Sequence, residues 1–329
     1  MNWNSKKVLV TGVHGFFGPH IAKSLHEKGA HVIGGYHDKK KYSFCDLSGL
    51  SKLITMSYVD INDIDRIKEV ICNYEIDYIF HCAAHSIVKT CVNNPIGAFS
   101  TNIIGTANIL EATRLVGGIK GIMCMESDKS YGSFDTNNLP YKETQATKPT
   151  SVYEVSKACA GLVAEAYSKN YNLPIFTVRP TNLYGPGDMN MSRIIPGTIL
   201  RILCNKRPIL YSGVSNYIRE FLYVEDAAYG TLRLMEEIDV SRSNIFNIGS
   251  SSIHTILEVV DLVTNKMPQD LGVQIVEKDP LFKEIEEQHV DFSKFLSVVG
   301  EYSPRSLDDG LNDTIEWYTR NHKYLPIPS

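Results

Sequence analysis

The sequence predicts an α/β fold, a doubly wound parallel sheet followed by a smaller mixed C-terminal lobe. Three observations predict it. A short apolar strand, Val8-Leu9-Val10, runs straight into a glycine-rich turn and a segment of helical period. Short apolar runs then alternate with helical patterns at crossover spacing as far as Val178. Past about residue 180 that rhythm breaks into short strands, turns and helices. On this reading residues 1–180 form the first domain, residues 222–252 return to it, and residues 181–221 and 253–329 form the smaller lobe.

Bulk properties narrow the class. A chain of 329 residues, 43% apolar and 21% charged, is long enough for one large domain or two unequal ones. A net charge of −4 argues against a general nucleic-acid binder. No apolar run is long enough to span a bilayer, and the first residues lack a signal-peptide core. The seven cysteines show no C-x-x-C spacing, so no metal site is expected. Reduced, buried thiols in a cytoplasmic protein are the expectation.

The elements follow in order. After the first strand comes Thr11-Gly12-Val13-His14-Gly15-Phe16-Phe17-Gly18, then a helix from about Pro19 to Lys28. Gly12 suits the tight turn, Gly15 the close approach of a pyrophosphate, and Gly18 the packing of helix on strand. Phe16 and Phe17 lie in the same cofactor loop. The helix N-terminus adds N–H groups and a positive dipole end. A second strand, His31 to Tyr36, ends without an acid: Tyr36-His37 precede Asp38 and Lys39-Lys40-Lys41. The lysines suit either a 2′-phosphate or a solvated loop, so NAD and NADP both stay open. Leu53 to Tyr58 is a third strand. Asp60-Ile61 at its end suit an adenine, or Asp60 caps the helix that follows at about Asp63 to Asn73.

Asp77 to Ala84 reads as a fourth strand whose small residues, Ala83 and Ala84, let a flat cofactor lie against the backbone. A helix from Pro95 to about Val116 and another from Ser151 to Tyr171 are apolar on more than one side. The pair is read as one side of a homodimer interface. Between them lies an apolar strand, Ile122 to Met125, and then Glu126-Ser127-Asp128-Lys129. Tyr153 and Lys157 sit one helical turn apart, so the Lys cation favours the phenolate and the Tyr can act as an acid–base. Ile175 to Val178 is the sixth strand, ending near Pro180. Ile209 to Tyr217 is expected to form a hairpin turning at Ser212-Gly213. A helix after Glu225-Asp226, a strand at Ile245 to Ile248, a helix to about Lys266 and a helical tail complete the chain.

These residues carry a resemblance that runs nearly end to end. Thr11-Gly12-x-x-Gly15-x-x-Gly18, Ala83-Ala84, Tyr153-x-x-x-Lys157, Arg179-Pro180-x-Asn182-x-Tyr184-Gly185-Pro186-Gly187-Asp188, Arg193-Ile194-Ile195-Pro196 and Tyr223-Val224-Glu225-Asp226 resemble the extended short-chain dehydrogenase/reductase family of nucleotide-sugar epimerases and dehydratases. Ser127-Asp128-Lys129, the acid-free Gly35-Tyr36 and the run from Asn182 to Pro196 are most similar to its CDP-glucose 4,6-dehydratase branch. Two places depart from that branch: Phe221 to Ala227 replaces a W-Q-H-V-L-E-P-like run, and Glu126 stands where Thr is usual.

The resemblance implies a Rossmann-type fold and a nucleoside-diphosphate-sugar substrate. It implies an internal hydride cycle, from C4 to NAD(P)+ and back to C6. Tyr153 would take the O4 proton, Lys157 would lower the Tyr pKa and contact the nicotinamide ribose, and Ser127 would bridge O4 and the phenol, with Tyr153 and Pro180 also beside the cofactor. Asp128 and Lys129 would supply the acid and the C5 base. Arg193 and Arg219 would meet the diphosphate. Asn182 would bond a phosphate or sugar oxygen, with Ser86 and Tyr211 among the substrate contacts. Two other readings stay open: a nucleotide-sugar 4-epimerase, 4-dehydrogenase or 4-ketoreductase, and a non-catalytic cofactor-sensing protein.

Overall fold

The computed structural model describes residues 1–133, 136–269, 271–277 and 285–325; the rest of the expected C-terminal lobe lies outside the described residues. The strands in chain order are β1 (Lys7–Thr11), β2 (His31–Tyr36), β3 (Thr55–Tyr58), β4 (Tyr78–His81), β5 (Gly121–Met125), β6 (Ile175–Pro180), β7 (Asn182–Tyr184), β8 (Ile209–Tyr211), β9 (Ile218–Tyr223), β10 (Asn244–Ile248), β11 (Ile253–Thr255), β12 (Gln274–Val276) and β13 (Glu287–Gln288). The helices are α1 (Gly18–Glu27), α2 (Phe44–Leu47), α3 (Ile64–Tyr74), α4 (Val88–Asn93), α5 (Pro95–Phe99), α6 (Gly105–Val116), α7 (Val152–Tyr171), α8 (Ile194–Leu203), α9 (Val224–Glu236), α10 (Ile238–Ser241), α11 (Ile256–Lys266), α12 (Ser293–Val299) and α13 (Leu307–Asn321).

Seven strands form one sheet in the order β10-β6-β5-β4-β1-β2-β3, and every pairing is parallel. Successive side chains on a strand face opposite ways, and the sheet uses both faces. Val8, Val10, Phe80, Met123, Phe176 and Phe246 pack with Ile21 of α1, Leu232 of α9 and Phe295 of α12. Leu9, Ile33, Ile79, Ile122 and Ile175 pack on the other side with Ile67 of α3, Ile109 of α6 and Ala164 of α7. Each such buried side chain contributes about 1.5–3 kcal/mol. The strand order reverses between β1 and β4, so the crevice beyond their carboxyl ends is the natural ligand position. A third core joins Tyr184, Phe221 and Tyr223 to Ile199 of α8, Val263 of α11 and Leu311 of α13, beside that crevice.

Three local expectations are corrected. Residues 209–217 do not form a hairpin: β8 pairs in parallel with β12, and β9 pairs with β7, β11 and β13. Gly213 does turn the chain, with φ +81°, but β8 finds its partner more than sixty residues later, beyond the reach of local pattern. The helix begun at Pro95 contains a π-helical turn, Ser100–Ile104, between α5 and α6. Such turns occur where a side chain is put to another use. Here Asn102 turns inward to bond outside its helix, donating to the His85 carbonyl and the Ser156 hydroxyl. Asp63, not Asp60, caps α3, accepting from the Arg66 N–H at 3.0 Å.

Candidate active site

The crevice begins with backbone geometry. Gly12 has φ +73°, and a Cβ there would lie 2.8 Å from the Ala83 Cα. A Cβ on Gly18 would lie 2.7 Å from the Gly12 carbonyl oxygen, and one on Gly15 would lie 3.0 Å from it. The three glycines fold tightly enough to leave a cradle that side chains would fill. Helix α1 starts there with no side chain capping its N-terminus, so its first N–H groups suit an anion. Below the cradle the Thr11 hydroxyl accepts from the Cys82 and Ala83 N–H groups, both at 3.1 Å, and lies 2.9 Å from His81 Nδ1. His81 Nε2 lies 3.1 Å from Thr106 Oγ1, whose own hydrogen goes to the Asn102 carbonyl. His81 is therefore neutral with its proton on Nε2. Burial agrees, pushing its pKa down to about 3.

The adenosine end is more open. Tyr36 packs edge-on against His14 at 5.6 Å, and Lys39 lies 5.6 Å from the Tyr36 ring centre. His37 is exposed, 3.2 Å from Asp38 and 3.6 Å from Asp60. The Ile61 carbonyl accepts from Asn108. Phe17 is buried in the cradle and Pro180 ends β6. The cradle, the helix terminus and the flat floor at Ala83 and Ala84 fit a dinucleotide.

The expected reactive groups follow β5 and open α7. Helix α7 starts with a capping box: Ser151 accepts from the Glu154 N–H, and Glu154 accepts from the Ser151 N–H. That cap fixes Tyr153 in the first turn and Lys157 in the second. Ser127 opens a short 3-10 turn, accepting from the Lys129 N–H and donating to Asp128 Oδ1, each at 3.2 Å. Asp128 is 3% exposed, and its Oδ2 has no hydrogen-bond partner among the described residues. Burial raises its pKa to about 6, against the opposing pull of Lys129 and Ser127. Lys129 is half-buried beside it.

The expectation that Lys157 lowers the Tyr153 pKa is corrected in part. Burial raises Tyr153 to about 12, and the groups that pull it back are Ser127 and the Arg193 guanidinium. Lys157 reaches instead to the Met125 carbonyl, and burial lowers its pKa.

Arg193 donates to Asp188 Oδ2 at 2.9 Å and lies 5.8 Å from the Phe16 ring centre, joining the cradle to Tyr153. Arg219 is different. It is buried, and its guanidinium donates to the carbonyls of Ile218, Ile285 and Glu286. The expected diphosphate contact therefore meets a cation already engaged with backbone oxygens, because β9 lies inside its sheet beside β13. Asn182 donates to the Glu220 carbonyl at 3.1 Å. Ser86 and Tyr211 stay at the surface, Tyr211 at the end of β8.

Sequence reasoning missed two parts of the site. Glu126 and Arg179 form a buried ion pair beneath Lys157, with Arg179 also stacked 4.6 Å from the Tyr131 ring centre. A charged residue ending an apolar strand was the available signal. The segment after β2 folds over the cradle: His14 Nδ1 lies 2.8 Å from the Ser43 hydroxyl, and Phe44 stacks on His20 at 4.2 Å. Gly187 presses on Phe44, where a Cβ would collide. Only the aromatic run marked it. Among the described residues no His, Cys, Asp or Glu cluster could hold a metal ion. Nor is any helix among them long and apolar enough to cross a membrane.

Comparison with known proteins places this geometry. The model of the NAD dependent epimerase/dehydratase family matches residues 8–249. The trifunctional UDP-glucose 4,6-dehydratase/UDP-4-keto-6-deoxy-D-glucose 3,5-epimerase/UDP-4-keto-L-rhamnose-reductase of Arabidopsis thaliana is 28% identical over 336 residues, 98% of this chain and 48% of that protein. The chain thus spans about half the length of that relative. The CDP-glucose 4,6-dehydratase of Salmonella typhimurium is 32% identical over 218 residues, 63% of this chain and 60% of that one. The solved dTDP-glucose 4,6-dehydratase DesIV of Streptomyces venezuelae, with NAD and TYD bound, superimposes with a TM-score of 0.88 at 25% identity, covering 98% of this chain and all of that one.

Proposed function

The chain belongs to the NAD dependent epimerase/dehydratase family, and on that premise we propose that it is a nucleotide-sugar 4,6-dehydratase. The observation that carries this reading is Asp128, a buried carboxyl with a pKa of about 6 that bonds Ser127 beside Tyr153. A 4-epimerase or 4-dehydrogenase has no need of an acid there. Gly12, Gly15 and Gly18 would hold NAD, which when bound would supply the acceptor and donor for a hydride cycled from C4 to C6 of the sugar. Tyr153 takes the O4 proton, with Ser127 and Arg193 stabilising the phenolate. Lys129 removes the C5 proton and returns one to C5 as the hydride reaches C6, and the protonated Asp128 delivers a proton to the 6-hydroxyl, which leaves as water. Residues 1–180 and 222–252 are assigned to the cofactor, and residues 181–221 and 253–329 to the nucleotide sugar.

Incubation with CDP-, GDP-, UDP- and dTDP-glucose in D₂O tests the reading. The expected product is a 4-keto-6-deoxy sugar with deuterium at C5 and the C4 hydrogen in the C6 methyl. A product that keeps its 6-hydroxyl overturns it in favour of epimerisation or oxidation. The nucleotide is read separately from melting shifts, since a diphosphate at about 100 Kd adds about 2.7 kcal/mol.

We also propose a homodimer built on the segment from Pro95 to Val116 and on α7. Ile104 is 54% exposed and Leu162 61%, and Ile96 and Leu115 are exposed on the same helical layer. Ile104→Glu with Leu162→Glu should halve the mass seen by light scattering at micromolar concentration. A native chain that is already monomeric there excludes the dimer. All seven cysteines are free thiols, which supports a reducing, cytoplasmic setting.

A further inference from the structure

Asp128 and Lys129 sit on a short 3-10 turn, Asp128–Tyr131, which has a built support at its far end. The Tyr131 hydroxyl donates to Oδ1 of Asn247, on β10, at 2.8 Å. Asn247 Nδ2 spends its two hydrogens on the carbonyls of Tyr141, at 2.9 Å, and Asp291, at 3.0 Å. Its backbone N–H donates to Glu143 Oε1 at 2.8 Å. The Tyr131 ring lies 4.6 Å from the Arg179 guanidinium and 4.9 Å from the Tyr141 ring. The Tyr141 hydroxyl donates to the carbonyl of Gly132, the residue that follows the turn, at 2.8 Å. Tyr141 and Asp291 are themselves joined: the Asp291 N–H donates to the Tyr141 carbonyl at 2.8 Å, and the Tyr141 N–H donates to the His289 carbonyl at 3.0 Å. Asn247, Tyr131 and Tyr141 are fully buried. One amide thus ties the turn to β10 and to residues 289–291, which belong to the part of the chain assigned to the sugar.

We propose that Asn247 is a positioning residue for the acid–base turn: anchored on Tyr141 and Asp291, it holds the Tyr131 hydroxyl and so fixes Asp128 and Lys129 in register with the sugar. A 3-10 turn has poor hydrogen-bond geometry of its own, and its side chains at i and i+3 eclipse. Tyr131 stands three residues after Asp128, so an anchor on the one sets the direction of the other. Proton transfer needs that direction held closely. The inference rests on the roles given to Asp128 and Lys129 in the dehydratase reading, but its central claim concerns the turn and is measurable without turnover.

The test uses the full chain with its dinucleotide. Tyr131→Phe removes one hydroxyl and keeps the ring between Arg179 and Tyr141, so it spares the fold; Asn247→Ser removes the acceptor and both donations. The Ser130 and Gly132 N–H groups close the turn on the Ser127 and Lys129 carbonyls at 3.0 and 3.1 Å. Their hydrogen exchange should quicken roughly tenfold in Tyr131→Phe, the worth of one buried hydrogen bond. Adding Tyr131→Phe to Asn247→Ser should quicken it no further, because both changes break one bond. The Asp128 carboxyl, followed by ¹³C NMR with Asp128→Asn identifying its signal, should titrate nearer 3.8 than about 6 once water reaches the loosened turn. With a nucleotide sugar, kcat should fall roughly tenfold while KM stays within about twofold. Oxidation at C4 is assigned to Tyr153, outside the turn, so the near-ultraviolet absorbance of reduced nicotinamide should build up during turnover. Native Asp128 titration in Tyr131→Phe overturns the inference, because the bond would then serve the fold alone. A displaced Asp128 titration in a chain that turns over no nucleotide sugar upholds the inference and overturns the dehydratase reading.

Discussion

The cradle at Gly12–Gly18 and the reactive run at Glu126–Lys129 sit at the ends of β1 and β5, in the same sheet, yet they are built on different physics. The cradle is made of backbone. Its glycines leave space, the Thr11 hydroxyl is satisfied, and the buried His81 beneath it is neutral. Little in it titrates near neutral pH. The run after β5 is made of buried charge. Glu126 is paired, while Asp128, two residues on, has a free oxygen and a pKa of about 6. A binding surface for a constant ligand can be rigid and electrically quiet. A site that must move protons keeps groups poised at some cost to the fold.

The sharpest way to break that contrast is Gly12→Val. With φ +73° and Ala83 at 2.8 Å, a branched side chain has neither the backbone conformation nor the room. Dinucleotide content of the purified protein should fall below about a tenth of native, and activity with it, since the closely packed turn cannot shift cheaply. Unchanged cofactor content in a folded G12V protein would remove the cradle from the argument.

Next in size is Asp128→Asn. Dehydration should fall roughly 10²–10⁴-fold with cofactor retained. Stability should move the other way. The Asp128 pKa is raised on folding from 3.8 to about 6, so its favourable contribution is full below pH 3.8 and is lost as pH rises through about 6. Above pH 7 the native carboxylate costs about 3 kcal/mol that the amide does not. Urea melts at pH 5 and pH 8 should show D128N gaining at both, about twice as much at pH 8. An equal effect at both values would mean that Asp128 is not held as described.

Thr11→Val sharpens the cradle side. It strips an acceptor from two N–H groups and a donor from His81, a loss of about 1–3 kcal/mol. Cofactor affinity should weaken while the pH profile of kcat keeps its shape, because nothing that titrates in range has changed. A displaced pH profile would show that the two regions are coupled. Asp63→Ala is the smallest effect, about 1 kcal/mol of stability from a lost helix cap, with kcat unmoved at saturating cofactor and substrate.

The same division governs what could be read from the chain. Gly12, Gly15 and Gly18 were legible because a glycine in a strand–turn–helix context states a backbone requirement directly. The strand periodicity and the turn between Tyr153 and Lys157 are local in the same sense. The expected hairpin at Ile209–Tyr217 failed because β8 pairs with a strand far along the chain. Arg219 was read as a diphosphate contact, and nothing nearby in sequence announces the carbonyls of residues 285 and 286 that its guanidinium meets.

By itself, then, the sequence determined the doubly wound sheet, the cofactor turn and the residue types that end β5 and open α7, since each follows from residue types a few positions apart. The tertiary structure decided their charge states. Whether Asp128 holds a proton, whether Lys157 keeps one, and which cation answers Tyr153 depend on burial and on partners brought from β6, β9 and α8. Electrostatic energy depends on distance through space and on the loss of water around a charge, and neither quantity is written along the chain.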